Sequence, residues 1–230
     1  MAQVISPLKR TEFCTSLRFK ELLVPLLAMV VSLLFASGMG GFLPAMPELL
    51  LHTSGIIPDV VPDVADGYED LPVYFDNTFV FNGEHLNIHQ TLQEPHIPVQ
   101  SIGHGFSGEY ALVLVDPDAP SPSDKSFSQV IHWIVTNIPY NVPSDQEVHK
   151  VGTVIEPYLP PSPIAGTHRY TFLLFEQVSP ISNFHPPAPD SRILFNVTSW
   201  AKIHNLGKPV AGVFFQSTAG KYLDNYLDTL

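Results

Sequence analysis

Leu112-Val113-Leu114-Val115-Asp116-Pro117-Asp118-Ala119-Pro120-Ser121 is the stretch on which the reading of this chain turns. Four apolar residues run straight into two carboxylates, and two prolines fix the chain just beyond them. An uninterrupted apolar run of this length reads as a strand covered on both faces, whereas a half-solvated strand would alternate. Asp116 therefore sits in or beside a core. A bland account makes it the cap of an Asp-Pro turn. Two further segments argue for more than that. Val130-Ile131-His132-Trp133-Ile134-Val135 places a histidine inside another central-strand pattern, and Thr167-His168-Arg169-Tyr170-Thr171-Phe172-Leu173-Leu174-Phe175-Glu176-Gln177 leads polar residues into a third. Buried polar groups need partners, and these segments can supply them for one another.

Working outward, Tyr110–Val115, Ile131–Ile138, Tyr170–Phe175 and Val210–Phe215 are predicted as the core strands. Val73-Tyr74-Phe75 and Phe79-Val80-Phe81, punctuated by Asn77 and by Asn82-Gly83, predict a hairpin. The stretch from Glu156 to Gly166 holds too many prolines for a helix or an inner strand and reads as a stiff loop. Helices are short: Glu48–Ser54 ending at Gly55, residues 191–205 ending near Gly207, and Tyr222–Leu227. With 23 prolines, 15 phenylalanines and 8 tyrosines in 230 residues, strands joined by rigid turns are favoured over helix bundles. The fold class is mainly β.

The first 38 residues differ from the rest. Lys9, Arg10, Arg18 and Lys20 precede an uncharged apolar run from Leu22 to Phe35, followed by Ala36, Ser37 and Gly38. That order is the layout of a signal peptide, so residues 1–38 are expected to be removed and the protein secreted, with a retained signal anchor as the alternative. Residues 39–230 then form one domain, a monomer with no stable membrane insertion. Of 11 basic and 22 acidic side chains, 7 and 20 remain beyond the leader, a net charge of −13. So acidic a surface repels phosphate backbones and argues against nucleic acid as a partner. The single cysteine, Cys14, lies in the leader, which leaves no disulfide to stabilise the domain. Asn196-Val197-Thr198 is a glycosylation sequon and marks Asn196 as a candidate acceptor.

Several motifs carry little chemistry. Gly103-His104-Gly105-Phe106-Ser107-Gly108 fits the dinucleotide pattern but precedes a strand and opens no helix. His85 and His89 would line one edge of a strand with Asn87, and no carboxylate or cysteine cluster completes a metal site around them. No Gly-x-Ser-x-Gly elbow is present, so neither cofactor, metal nor hydrolytic activity is expected.

Asp-Pro-Asp-Ala-Pro-Ser at 116–121, the His-Trp strand at 132–133 and Gly-x-His-Arg-Tyr with its Glu-Gln ending at 166–177 resemble, in order, the two signature regions of the phosphatidylethanolamine-binding protein family. The likeness extends to Gly55-Ile-Ile-Pro-Asp-Val and to Pro209-Val-Ala-Gly-Val-Phe-Phe-Gln216, covers residues from about 47 to 230, and is similar to secreted fungal members. It implies an antiparallel β-sandwich with short peripheral and C-terminal helices. It also implies a pocket for a phospholipid head group or small anion, built from Asp116, His132 and Tyr170 with Ala119, Pro120 and His168 as walls, and a cis peptide before Pro120. Arg169, one residue from Tyr170 and so on the opposite face, is expected to pair with Asp118. Pro122 stands where many relatives carry a basic residue, which weakens the positive charge of the rim. The resemblance also supports a second reading, inhibition of a serine carboxypeptidase.

Overall fold

The computed structural model describes residues 46–102, 106–181 and 192–220. The leader, the first three residues of the Gly-rich motif and the Tyr222–Leu227 helix lie outside them. The described residues include nine strands: β1 (Glu69–Asp70), β2 (Tyr74–Phe75), β3 (Thr78–Phe79), β4 (Glu84–His85), β5 (Glu109–Asp116), β6 (Val130–Pro139), β7 (Thr153–Glu156), β8 (Thr167–Gln177) and β9 (Ala211–Thr218). The four expected core strands are β5, β6, β8 and β9. Their order in the main sheet is β1-β9-β8-β5-β6-β7, with β2 and β3 forming the separate hairpin.

All pairings among the long strands are antiparallel, so that Val113 on β5 lies between Ile134 on β6 and Leu173 on β8. The sheet as a whole is mixed, because β1 joins β9 in parallel at Ala211–Gly212 and β4 joins it in parallel at Phe215–Gln216. Two short segments thus cover the outer edge of β9, whose N–H and C=O groups would otherwise be open to another chain.

The uninterrupted apolar runs are explained by cover on both faces. Leu112, Leu114, Trp133, Tyr170, Phe172, Val213 and Phe215 face a layer made by residues 71–102, including Val73, Phe75, Val80 and Ile97. Ala111, Val113, Val115, Ile134, Leu173, Phe175 and Phe214 face the other layer, which holds Leu51, Ile56 and Val60 together with Val197, Trp200 and Ala201. Burying each large apolar side chain in these layers contributes about 1.5–3 kcal/mol.

Among the described residues there are four short α-helices: α1 (Met46–Thr53), the single turn α2 (Ile56–Asp59), α3 (Val148–Val151) and α4 (Val197–Ile203). Gly55 separates α1 from α2 with φ of 76°, which a side chain would resist. The helix expected over 191–205 is shorter. Asn196 is its N-cap, with Oδ1 accepting from the Ser199 N–H at 2.7 Å, and Leu194 just upstream has a left-handed φ of 59° that no helix tolerates. At the other end Asn205, with φ of 55°, leaves the helix before Gly207 is reached. His85 and His89 do not share a strand: the chain leaves β4 at Leu86 and enters a 3₁₀ turn, Ile88–Thr91, capped reciprocally by Asn87 and Gln90.

Candidate functional site

Asp116 ends β5 and His168 and Tyr170 begin β8, and the antiparallel register of the two strands brings all three to one end of the sheet. Alternation sends His168 and Arg169 to opposite faces of β8, and Asp118, beyond the end of β5, is carried by the turn to the face opposite Asp116. On one face the His168 Nδ1 lies 2.7 Å from Asp116 Oδ2. On the other Arg169 donates from Nε to Asp118 Oδ2 at 2.8 Å and from Nη2 to Asp118 Oδ1 at 2.6 Å. The turn after β5 and the adjacency of 168 and 169 on β8 thus give one carboxylate and one basic side chain per face.

The Asp118 side is a structural latch. Arg169 also donates to Asp59 Oδ2 and to the Ser54 carbonyl, both at 2.8 Å, and its backbone N–H reaches Asp118 at 2.9 Å. Lys125 lies 2.8 Å from Asp59 and 3.3 Å from Asp118. Burial alone would raise the Asp118 carboxyl, but Arg169 and Lys125 hold it below the ordinary carboxylate range. The expected pairing of Arg169 with Asp118 is met.

On the opposite face Asp116, His132, His168 and Tyr170 are each at most 3% exposed. Asp116 Oδ1 accepts from the Asp118 N–H at 2.8 Å, so both oxygens of this carboxylate are engaged. His168 meets acceptors at both ring nitrogens, Asp116 at Nδ1 and the Ala165 carbonyl at Nε2, 3.1 Å away. Both must carry hydrogen, and His168 is an imidazolium. Burial opposes that charge, yet Asp116 raises the ring above an ordinary histidine.

His132 belongs to β6, and its Nδ1 lies 2.7 Å from the Leu159 carbonyl in the Pro-rich loop. The Leu159 N–H donates back to the His132 carbonyl at 2.7 Å, which fastens that loop over the strand. Burial pushes His132 down, so it is neutral near pH 7. Its ring stands edge-on to Tyr170 at 5.0 Å, and Tyr170 in turn stacks on Phe215 at 5.3 Å. The Tyr170 hydroxyl is raised far above a free phenol by burial and by the Asp116 charge; Asp116 and the Ser162 backbone are its neighbours, but neither makes a hydrogen bond of normal geometry with it.

Ala119 and Pro120 follow in the turn after β5, joined by a cis peptide as the resemblance implies, and exposure rises at Pro120. The chain therefore brings Asp116, His132, His168 and Tyr170 into one cluster. Three features of it were not foreseen: His168 is bonded directly to Asp116, Leu159 orients His132 through its backbone, and Ser217, register partner of His168 on β9, is buried with an unpaired hydroxyl. None of the six expected residues lines the 470 Å³ cavity between Val61 and α4 or the 640 Å³ groove beside Arg169. Asn196, the candidate glycosylation acceptor, is exposed at the start of α4. Among the described residues no three metal-ligating side chains come together, and no helix is long and apolar enough to cross a membrane.

Residues 70–215 match the family model described as phosphatidylethanolamine-binding protein. Among curated proteins, the chain is 37% identical to Protein FLOWERING LOCUS T of Arabidopsis thaliana, over 70% of this chain and 87% of that protein. It is 34% identical to Protein SELF-PRUNING of Solanum lycopersicum, over 70% and 86% respectively. Among solved structures, a carboxypeptidase Y inhibitor in complex with its cognate proteinase superposes with a TM-score of 0.61 at 24% identity, covering 74% of this chain and 94% of that one. A phosphatidylethanolamine-binding protein from Plasmodium vivax gives 0.59 at 22% identity, covering 74% and 96%. With the matched span running from β1 into β9 and enclosing the Asp116 cluster, the chain belongs to the phosphatidylethanolamine-binding protein family.

Proposed function

We propose that this protein is a secreted binding module that captures a phosphorylated head group or small anion at the Asp116–His132–His168–Tyr170 cluster and performs no hydrolysis of its own. The observation that carries this reading is the buried Tyr170 hydroxyl, which makes no well-formed hydrogen bond and has only looser contacts to Asp116 and to the Ser162 backbone. Leaving such a group unsatisfied costs about 1–3 kcal/mol, a cost that a phosphoryl oxygen placed against it would recover. The His168 imidazolium adds positive potential next to it, and Asp116 fixes that imidazolium in place. Entry requires the Pro-rich loop over His132 to shift, because the cluster is closed to solvent. Secretion rests on the basic, apolar and small-residue order of the leader, which N-terminal sequencing of exported protein checks.

Titration calorimetry with O-phosphoethanolamine and with inorganic phosphate tests the site. Tyr170→Phe removes only a hydroxyl that is poorly bonded within the protein, so it should leave the thermal midpoint nearly unchanged while weakening binding by about 10-fold or more. Equal affinity in the variant, or no binding by the wild-type protein at millimolar ligand, overturns the reading. Inhibition of a serine carboxypeptidase is the competing activity, supported by the fold shared with the carboxypeptidase Y inhibitor. Potent inhibition that persists in Tyr170→Phe, without phosphate binding, would favour it.

A further inference from the structure

The hydrogen-bond polarity of the cluster fixes which protonation state of an anion it can hold. A carbonyl oxygen has no proton to give, so the 2.7 Å contact to Leu159 places hydrogen on His132 Nδ1. In the neutral ring Nε2 then carries a lone pair. His168, whose nitrogens are both taken by Asp116 and Ala165, has no N–H to spare. The positive charge in the cluster is already matched by Asp116, and the Tyr170 hydroxyl, held only loosely by Asp116, is the one donor that a ligand could draw away. A fully deprotonated phosphate monoester offers acceptors alone, and two lone pairs cannot make a hydrogen bond. Charged groups surrounding His132 do not supply the missing proton: Asp116 attracts one, while Arg192 and His168 repel it. Arg192 itself is directed to the Ile131 and His132 carbonyls and to Glu156.

We propose that the site binds its phosphoryl ligand together with one proton, held in a hydrogen bond between His132 Nε2 and a phosphoryl oxygen. This inference rests on the reading of the cluster as an anion site and adds the form of the ligand that it accepts. The proton balance is explicit. Above about pH 7 a free phosphomonoester has lost its second proton, whose ionisation lies near 6, and free His132 is neutral, so the complex holds one proton more than its components and takes it from solvent. Affinity for the monoester consequently falls by about tenfold for each pH unit in that range. A phosphodiester such as glycerophosphoethanolamine has no second ionisation, and with it the extra proton must reside on His132 itself.

The test is calorimetry at about pH 8 in two phosphate-free buffers of very different ionisation enthalpy, with O-phosphoethanolamine and glycerophosphoethanolamine as separate titrants. The apparent enthalpies should differ by the amount that corresponds to about one proton taken up per ligand bound. His132→Gln puts an amide donor near Nε2, so whatever binding remains should be proton-neutral, with a dissociation constant that no longer climbs with pH. Binding by the wild-type protein without proton uptake overturns the inference and leaves the anion site standing, as does undiminished uptake in His132→Gln. Absence of binding by either ligand overturns both. The two-buffer comparison on the wild-type protein decides the matter even if the variant fails to fold. Uptake with the monoester alone would point to a free phosphate ester as ligand, whereas uptake with both admits a lipid head group.

Discussion

Replacing Asp118 with alanine separates the latch from the ligand cluster, and the structure sets the size of the effect. Asp118 is 2% exposed and accepts from the Arg169 backbone N–H, from Arg169 Nε and Nη2, and lies 3.3 Å from Lys125 Nζ. Its removal leaves a mostly buried guanidinium with only Asp59 and the Ser54 carbonyl as partners. Charge-assisted bonds each contribute about 1.5–3 kcal/mol but are not additive here, since one side chain makes several. Stranding one member of a buried ion pair costs about 3–5 kcal/mol, and that is the expected loss for Asp118→Ala. In a domain of this size each kcal/mol moves the melting midpoint by about 2–4 °C, so the drop should be about 6–20 °C. Asp118→Asn, which keeps the shape and an acceptor, should lose less. Because both Asp118 and Asp59 are held below the ordinary carboxylate range, their contribution is complete above about pH 4 and disappears as pH falls through their lower folded values. Differential scanning calorimetry at about pH 7 and pH 3 measures both quantities. A loss below about 1 kcal/mol at neutral pH would refute the reasoning, because Asp59 and Ser54 would then suffice for Arg169.

Phe215→Ala, which empties a fully buried position between Phe75 and Tyr170, should cost about 3–5 kcal/mol in urea denaturation and also weaken phosphoethanolamine binding by loosening the Tyr170 ring. For the His168–Asp116 pair the sign is opposite to that of the latch. A folded His168 more basic than in the unfolded chain stabilises fully below about pH 6.5 and loses that stabilisation as pH rises through the folded value, so urea midpoints should fall more between about pH 6 and pH 9 in the wild type than in His168→Gln. Asn196→Ala removes the cap of α4 and should cost about 1 kcal/mol, read as a shift in thermal midpoint.

The long strands were legible because residues such as Leu112–Val115 and Ile131–Val135 are apolar at consecutive positions, a pattern that requires two covering layers. Alternation along β8 was enough to turn Arg169 away from Tyr170 and toward a structural carboxylate, with Asp118 as the candidate. The pairing of Asp116 with His168 could not be read this way, since it depends on the β5–β8 register, which the residues of either strand leave open. Leu159 was invisible for a different reason: its backbone carbonyl, not its side chain, orients His132. The over-long helix at 191–205 came from apolar spacing, although Asn196 carried a usable cap signal. Two-residue strands such as β1 and β4 leave no period to read, because tertiary contact with β9 is what makes them strands at all.

That dependence on β9 has a consequence for how the protein is made. Glu84–His85 and the hairpin before it leave the ribosome well ahead of the strand that seats them, with Ala211 roughly 126 residues later in the chain. At about 5–20 residues per second the interval is about 6–25 s. Until then Leu71, Val73, Phe75, Val80 and Leu86 lack Val213 and Phe215 and at most face an incomplete sheet of β5, β6 and β8, so this early segment is where a nascent-chain chaperone should be found bound.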